Sequence, residues 1–355
     1  MTTTDLTNGR ANRGADEDAA ELRALVTDVL RDSTAATAWE RLASSGLTLV
    51  GVPEASGGSG GDIGDAAAVL EASGASGLPL PLVETTWLAA WLAAACETPA
   101  PTAPVTFAIA GPDVGLTPTG DGCRLDGVLR SLPWRHDVTH AHVLVPAAAT
   151  VAIVPLQGSG DDEERAGLRR GDLLLTGDRP LPCVAVPGDV RAACAELGLR
   201  AALARSVQIA GAAGVVRDLT VRYARERVQF GRPLSKNQVI QHYLAQIAAD
   251  AHAVRVASRH AVSSYAAEGL AAAAAVRAAK AVASTAVDRL TTLAHQVFGA
   301  IGTTREHELH RHTMAMWDWR DDAGSEFEHG RVLGRGAVES GDAWDWLVPA
   351  KEESR

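Results

Sequence analysis

The residues best suited to chemistry form one short run, Arg227-Val228-Gln229-Phe230-Gly231-Arg232-Pro233, followed by Gln238 and His242. A helical stretch over 221–227 delivers the arginine. A polar residue, an aromatic, a glycine able to turn the chain and a proline unable to continue a helix come next. A fixed cation, an amide and a flat ring are thereby gathered at a helix–helix junction. That combination suits a large, anionic, aromatic ligand such as a dinucleotide, because a guanidinium grips a diphosphate bidentately. An ordinary helix hairpin with a solvated arginine carries the same residue types.

A second signal is Gln296-Val297-Phe298-Gly299-Ala300-Ile301-Gly302-Thr303-Thr304, where two glycines after a long helix allow backbone amides to approach a ligand. By itself this is a helix end with a loop. The stretch Glu306–His312 is rich in histidine and glutamate but lacks the HExxH spacing of a zinc helix, so no metal site is expected. The glycine run between Gly46 and Gly61 has no GK[ST] and is not a phosphate loop.

Tyr223–Leu234 with Gln238 and His242 resembles the flavin-binding signature of the acyl-CoA dehydrogenase family, and the Gln296 segment resembles that family's Q-x-x-G-G-x-G loop. Ala300 stands where a glycine is usual. The Val52-Pro53-Glu54 segment with its glycines is similar to the family's turn between N-terminal helices. The resemblance spans roughly residues 20 to 340 and identifies a divergent, short-form, actinobacterial-type member. It implies FAD as cofactor, with Arg227, Gln229, Phe230, Gln238, Gln296, Gly299 and Gly302 as its contacts. It implies an acyl thioester (CoA or carrier protein) as substrate, drawn from fatty acid or steroid side-chain metabolism. It also implies a homo- or hetero-oligomer, dimer or tetramer, because the family's site is shared between subunits.

The departures from the family pattern narrow the function. The family's Glu–Gly–Thr-like turn, whose carboxylate removes the substrate α-proton, falls here on Ala323-Gly324-Ser325. The alternative base position, on an earlier helix, falls on Ala201. Neither can accept a proton, and a missing base costs about 10²–10⁴-fold in rate. Asp321 and Asp322 adjoin the vacancy; either a shifted loop presents one of them, or they cap the last helix. The family's flavin-contacting β stretch is replaced by Ala108–Gly115, and its ring-shielding aromatic has one substitute, Trp134, which reads equally as a core anchor. Trp317, Trp319, Trp344 and Trp346 flank the last helix as packing or interface residues, or as a substrate wall.

Three readings follow. The chain is a base-lacking dehydrogenase subunit in a heteromeric complex, with FAD shared across subunits; or a same-fold enzyme turned to different or non-redox chemistry, such as a lyase or cyclase, with FAD lost; or a non-catalytic binding scaffold.

The elements that must position these residues follow from composition and periodicity. The 355 residues carry a net charge of −10, which argues against nucleic acid as a partner. No continuous apolar run suggests a membrane span or secretory signal, and four scattered cysteines suggest reduced thiols and a cytoplasmic protein. A flexible tail is expected over 1–18, an N-terminal helical domain over 19–98, a small middle β domain over 99–189, a C-terminal helical bundle over 190–345 and a tail over 346–355. Helices are expected at 19–45, 63–75, 83–97, 190–228, 236–265, 268–297 and 322–338, and strands at 105–109, 122–129, 141–145, 151–154 and 173–176. The class is α+β: N-terminal helices, a small β domain and a four-helix bundle, which is the architecture of the family.

Overall fold

The computed structural model describes residues 3–156, 170–229, 231–304 and 306–341, with side chains from residue 17 onward. Phe230, Trp344, Trp346 and the segment 346–355 lie outside the described residues. The chain divides into two compact units, 1–201 and 202–355.

In the first unit, α1 (Thr3–Arg31) and α2 (Ala35–Ser44) replace the single helix expected over 19–45, and α1 begins inside the stretch read as a tail. The break falls at Thr34, the N-cap of α2, whose backbone N–H donates to Thr37 Oγ1 at 3.0 Å. The glycine run that follows is a tight turn closed by a bridge between Val52 and Gly60. A Cβ at Gly58 would lie 2.1 Å from the Val52 carbonyl oxygen, so no other residue fits. Asp62 caps α3 (Ile63–Ser76) by accepting from the amides of Gly64 and Asp65 at 2.7 and 3.0 Å. The helix expected at 83–97 is a fully buried π-helical stretch, Val83–Ala90, running into α4 (Trp91–Ala95).

Among the described residues seven strands follow: β1 (Thr106–Ile109), β2 (Gly115–Thr119), β3 (Gly122–Leu132), β4 (His140–Val145), β5 (Thr150–Pro155), β6 (Gly171–Thr176) and β7 (Cys183–Ala185). They form a four-stranded sheet in the order β1-β4-β5-β7 and a three-stranded sheet in the order β2-β3-β6. β2 and β7 are not apparent from sequence. Pro118 interrupts the β pattern of β2, and it is tolerated because β2 is an edge strand. Cys96, Cys123, Cys183 and Cys194 are free thiols, and burial with the neighbouring Cys183 pushes the Cys123 thiol up to about 12.

The helix α5 (Val190–Glu226) runs from the first unit into the second. A short hairpin of β8 (Val228–Gln229) and β9 (Arg232–Pro233) leads to α6 (Gln238–Glu268), α7 (Ala273–Phe298), α8 (Leu309–Asp321) and α9 (Glu326–Ser340). α7 buries Val276, Ala279, Ala283, Val287, Leu290 and Ala294, a helical spacing whose small side chains permit close helix packing. One window inside 238–303 is apolar enough to cross a bilayer by length and composition alone, a test that the core helix of a soluble protein passes equally. Of that window 44% is buried within the fold, as suits helices that pack on one another. α8 is the one long element that sequence periodicity misses: the sequence reading placed no helix between 297 and 322.

Candidate functional site

The Arg227 segment is built by three local devices. The Arg227 amide donates to the Tyr223 carbonyl at 2.9 Å, completing the last turn of α5. The chain then reverses: Gln229 pairs with Arg232, and Gly231 takes φ +80 in the loop between them. The Leu234 amide returns to the Arg227 carbonyl at 2.9 Å. Asn237 caps α6 by accepting from the Val239 amide at 3.0 Å, which makes Gln238 the first residue of that helix. The junction expected from sequence is therefore a miniature hairpin.

The Gln296 segment sits at the same end of the bundle. The Tyr223 ring stacks on Phe298 with centroids 4.2 Å apart and planes 20° apart, and Tyr223 Oη donates to the Phe298 carbonyl at 3.4 Å. The last turn of α5 is thus fastened to the last turn of α7. Arg227, Gln229, Gln238 and Gln296 are all exposed, and their side chains have no hydrogen bond or ion pair among the described residues. Uncommitted polar side chains of these types can bind the phosphates and sugar of a nucleotide. Gly299 takes φ +65 with open space where a side chain would be. Gly302 differs: it is buried, and a Cβ there would lie 2.8 Å from Phe298 Cβ and 3.1 Å from Leu309 Cδ2. Packing alone accounts for that glycine. His242, exposed, pairs with Gln246 at 2.8 Å.

The Ala323–Gly324 turn is held by hydrogen bonds from buried side chains. Ala323 takes φ +56 and Gly324 φ +94 in the turn joining α8 to α9. Lys280, with no solvent exposure, donates from Nζ to the carbonyls of Arg320 at 2.7 Å and Gly324 at 2.8 Å and to Ser284 Oγ at 2.8 Å. The intervening Ala323 carbonyl lies 2.9 Å from Nε2 of buried His329. Burial lowers the Lys280 amine to about 8, with the nearby Asp322 acting in the opposite direction. Burial likewise lowers His329.

Asp322 does not cap α9, contrary to the expectation from sequence. It ends α8, and its Oδ2 accepts from Arg205 Nε at 2.7 Å; Arg205, 1% exposed, also reaches Gln208 Oε1 at 2.7 Å. The cap of α9 is Ser325, whose amide donates to Glu328 Oε2 at 2.9 Å. Asp321 is exposed, 3.8 Å from Arg320. Ala201 lies half-buried on α5 beside the fully buried Ala202. Lys280, Arg205 and His329 escaped the sequence reading, although a lysine within an alanine-rich helix, at the spacing of Val276, Ala283 and Val287, is a readable signal.

Trp134 is 4% exposed and donates from Nε1 to the buried Glu84 at 2.8 Å, so it serves as a core anchor of the first unit. Trp319 is buried, and Trp317 lies under the Arg320 guanidinium. In the 306–312 stretch, His307 Nδ1 accepts from the Leu309 amide at 3.1 Å and opens α8, while His312 is buried and lowered to about 4 by that burial. Among the described residues no three His, Cys, Asp or Glu side chains gather to hold a metal ion.

Residues 199–317, which include both the Arg227 and Gln296 segments, match the family described as acyl-CoA dehydrogenase, C-terminal domain. The acyl-CoA dehydrogenase IpdE2 of Mycolicibacterium smegmatis is 28% identical over 274 residues, 74% of this chain and 76% of its own length. The chain belongs to the acyl-CoA dehydrogenase family. Solved structures of that family share its fold. The Tcur3481–Tcur3483 steroid ACAD, solved as a variant, superposes with a TM-score of 0.77 at 26% identity over 92% of this chain and 99% of its own. The ChsE4–ChsE5 complex from Mycobacterium tuberculosis gives a TM-score of 0.76 at 24% identity over 91% and 98%. The acyl-CoA dehydrogenase fold accounts for the helix–sheet–helix order described above.

Proposed function

We propose that this chain is a supporting subunit of a heteromeric acyl-CoA dehydrogenase that desaturates an acyl thioester between its α and β carbons. The observation that carries the reading is the Ala323–Gly324 turn. Lys280, His329 and the Arg205–Asp322 pair hold the turn and its surroundings, and the residue that the family resemblance aligns with the proton acceptor is an alanine. Asp322 is engaged by Arg205 and is poorly placed to substitute.

In the reaction a carboxylate takes the α-proton, and FAD, when bound, supplies the acceptor for the β-hydride. On this reading the carboxylate belongs to a second dehydrogenase-like chain. Arg227, Gln229, Gln238 and Gln296 hold the adenosine–diphosphate half of the FAD, leaving the ring to the partner's site. The two-component naming of the ChsE4–ChsE5 and Tcur3481–Tcur3483 relatives supports this arrangement. The substrate class, a bulky, steroid-derived thioester, rests on the description of the Tcur3481–Tcur3483 relative as a steroid ACAD.

A second reading, a same-fold enzyme without FAD, draws on one observation: Trp134 is tied to Glu84 and is not a free flavin shield.

Purification of the tagged chain from its native host, with native mass measurement and a flavin absorption spectrum, separates the two. The first reading expects a second dehydrogenase-like chain at fixed stoichiometry and a flavin band. It also expects Arg227→Ala to lower flavin content at least tenfold without loss of helicity, since Arg227 is exposed and unpaired. A colourless protein with no second chain, unchanged by added FAD, sinks it.

A further inference from the structure

Within the first unit, the helix around α4 does not close fully on the sheet β1-β4-β5-β7. A cavity of about 160 Å3 remains. Leu92, Ala93 and Cys96 line it from the helix side, and Phe107, His142 and Ile153 from the sheet side. The three sheet residues form one cross-strand row: Phe107 pairs with His142, and His142 with Ile153. An apolar residue at the centre of such a row would complete an ordinary helix-on-sheet core. The row has an imidazole there instead.

That imidazole is uncommitted. Its ring nitrogens make no hydrogen bond among the described residues. Burial, with help from the neighbouring His140, lowers it to about 4, so it is neutral near pH 7 and offers one N–H donor and one lone pair. The side chain is part-buried, and with no protein partner its ring can exchange a hydrogen bond with a ligand hydroxyl. The size is also specific: a dry, aliphatic cavity of about 150 Å3 accommodates benzene. The apolar remainder of the wall disfavours a charged guest.

We propose that this cavity is a binding site for a small, uncharged ring compound bearing one hydroxyl group, of the size of phenol, with the ring against Leu92, Phe107 and Ile153 and the hydroxyl on His142. The site lies wholly in the first unit, whereas the cofactor-contact residues named above belong to the second. It does not depend on the subunit assignment.

The test uses the full chain with phenol and toluene as probes, followed by ligand-observed NMR titration. Phenol binds saturably with a Kd of about millimolar, the range a ligand of so few atoms allows. His142→Leu weakens phenol by about tenfold and leaves toluene within about twofold, because only phenol uses the hydrogen bond. Ala93→Phe fills the cavity and abolishes binding of both. Should Ala93→Phe fail to fold by circular dichroism, Cys96→Phe fills the same space from the half-exposed end of the helix. Absence of saturable binding by either probe, including the result of a merely water-filled cavity, overturns the proposal. So does binding that is indifferent to the cavity-filling variant, or a phenol affinity that His142→Leu leaves unchanged.

Discussion

Lys280 Nζ lies 2.8 Å from the Gly324 carbonyl oxygen, a contact spanning 44 residues of sequence and made by a side chain with no exposure to solvent. The buried side chain anchors the turn between α8 and α9. Lys280→Met leaves the Gly324 carbonyl without that donor and is expected to cost about 2 kcal/mol at pH 7 in denaturant unfolding. The pH dependence has a defined sign. The folded-state value, about 8, is below the ordinary 10.5, so between these values the unfolded chain holds the proton that the folded chain has released. The contribution of Lys280 to stability therefore rises with pH across that window. The gap between wild type and Lys280→Met is expected to widen between pH 8 and 10; a narrowing gap contradicts the assignment.

Asp322 serves Arg205. Removing its carboxylate by Asp322→Ala strips the ion pair from a guanidinium that is 1% exposed and is expected to cost about 3 kcal/mol. Asp322→Asn keeps a hydrogen-bond acceptor and costs less. A reactive base would behave otherwise, with activity lost and the melting temperature unchanged.

Gly302 and Gly299 are expected to respond differently to alanine. At Gly302 the added methyl meets Phe298, Leu309 and His295, the nearest at 2.8 Å, so Gly302→Ala overpacks the end of α7 and costs about 1–3 kcal/mol. At Gly299 there is open space, but φ +65 with ψ −148 is a conformation nearly reserved to glycine, so Gly299→Ala bears backbone strain of about 1–3 kcal/mol with no overpacking. Thermal unfolding checks both; a Gly302→Ala variant that melts like wild type contradicts the overpacking.

His312 predicts an acid limb. It is 3% exposed and lowered to about 4, first by burial, with Glu308 opposing and Arg311 and His310 reinforcing. Between pH 6.5 and 4 the unfolded chain binds a proton that the folded chain refuses, so stability falls as pH falls through that range. His142 acts in the same direction. His312→Leu is expected to flatten the dependence by about 1.4 kcal/mol per pH unit over this window. An unchanged slope in urea melts between pH 4.5 and 6 removes His312 as a cause.

The family signature was legible in sequence because its parts act locally. Gly231 permits the positive φ of its loop, Pro233 fixes its own φ, and Asn237 caps α6 through the amide two residues on. Short-range rules did not resolve the break at Thr34, because alanine-rich sequence on both sides is helical and a single cap decides the boundary. They also missed α8, whose Leu309–Asp321 run mixes three buried apolar residues with His312, Thr313 and Trp319 and so has no clean apolar stripe. Its helicity depends on what the rest of the bundle presents to it.

Arg227, Gln296 and Ala323 could be singled out from residue order alone, since each is a matter of which side chain stands at which position. The state of their surroundings could not. Asp322 is tied to Arg205 across 117 residues, Lys280 to Gly324 across 44, and Tyr223 to Phe298 across 75. Sequence determines the chemical groups and the turns that carry them. Only tertiary packing decides which are desolvated, which are paired and which remain free, because burial and partnership depend on segments that meet only when the chain folds.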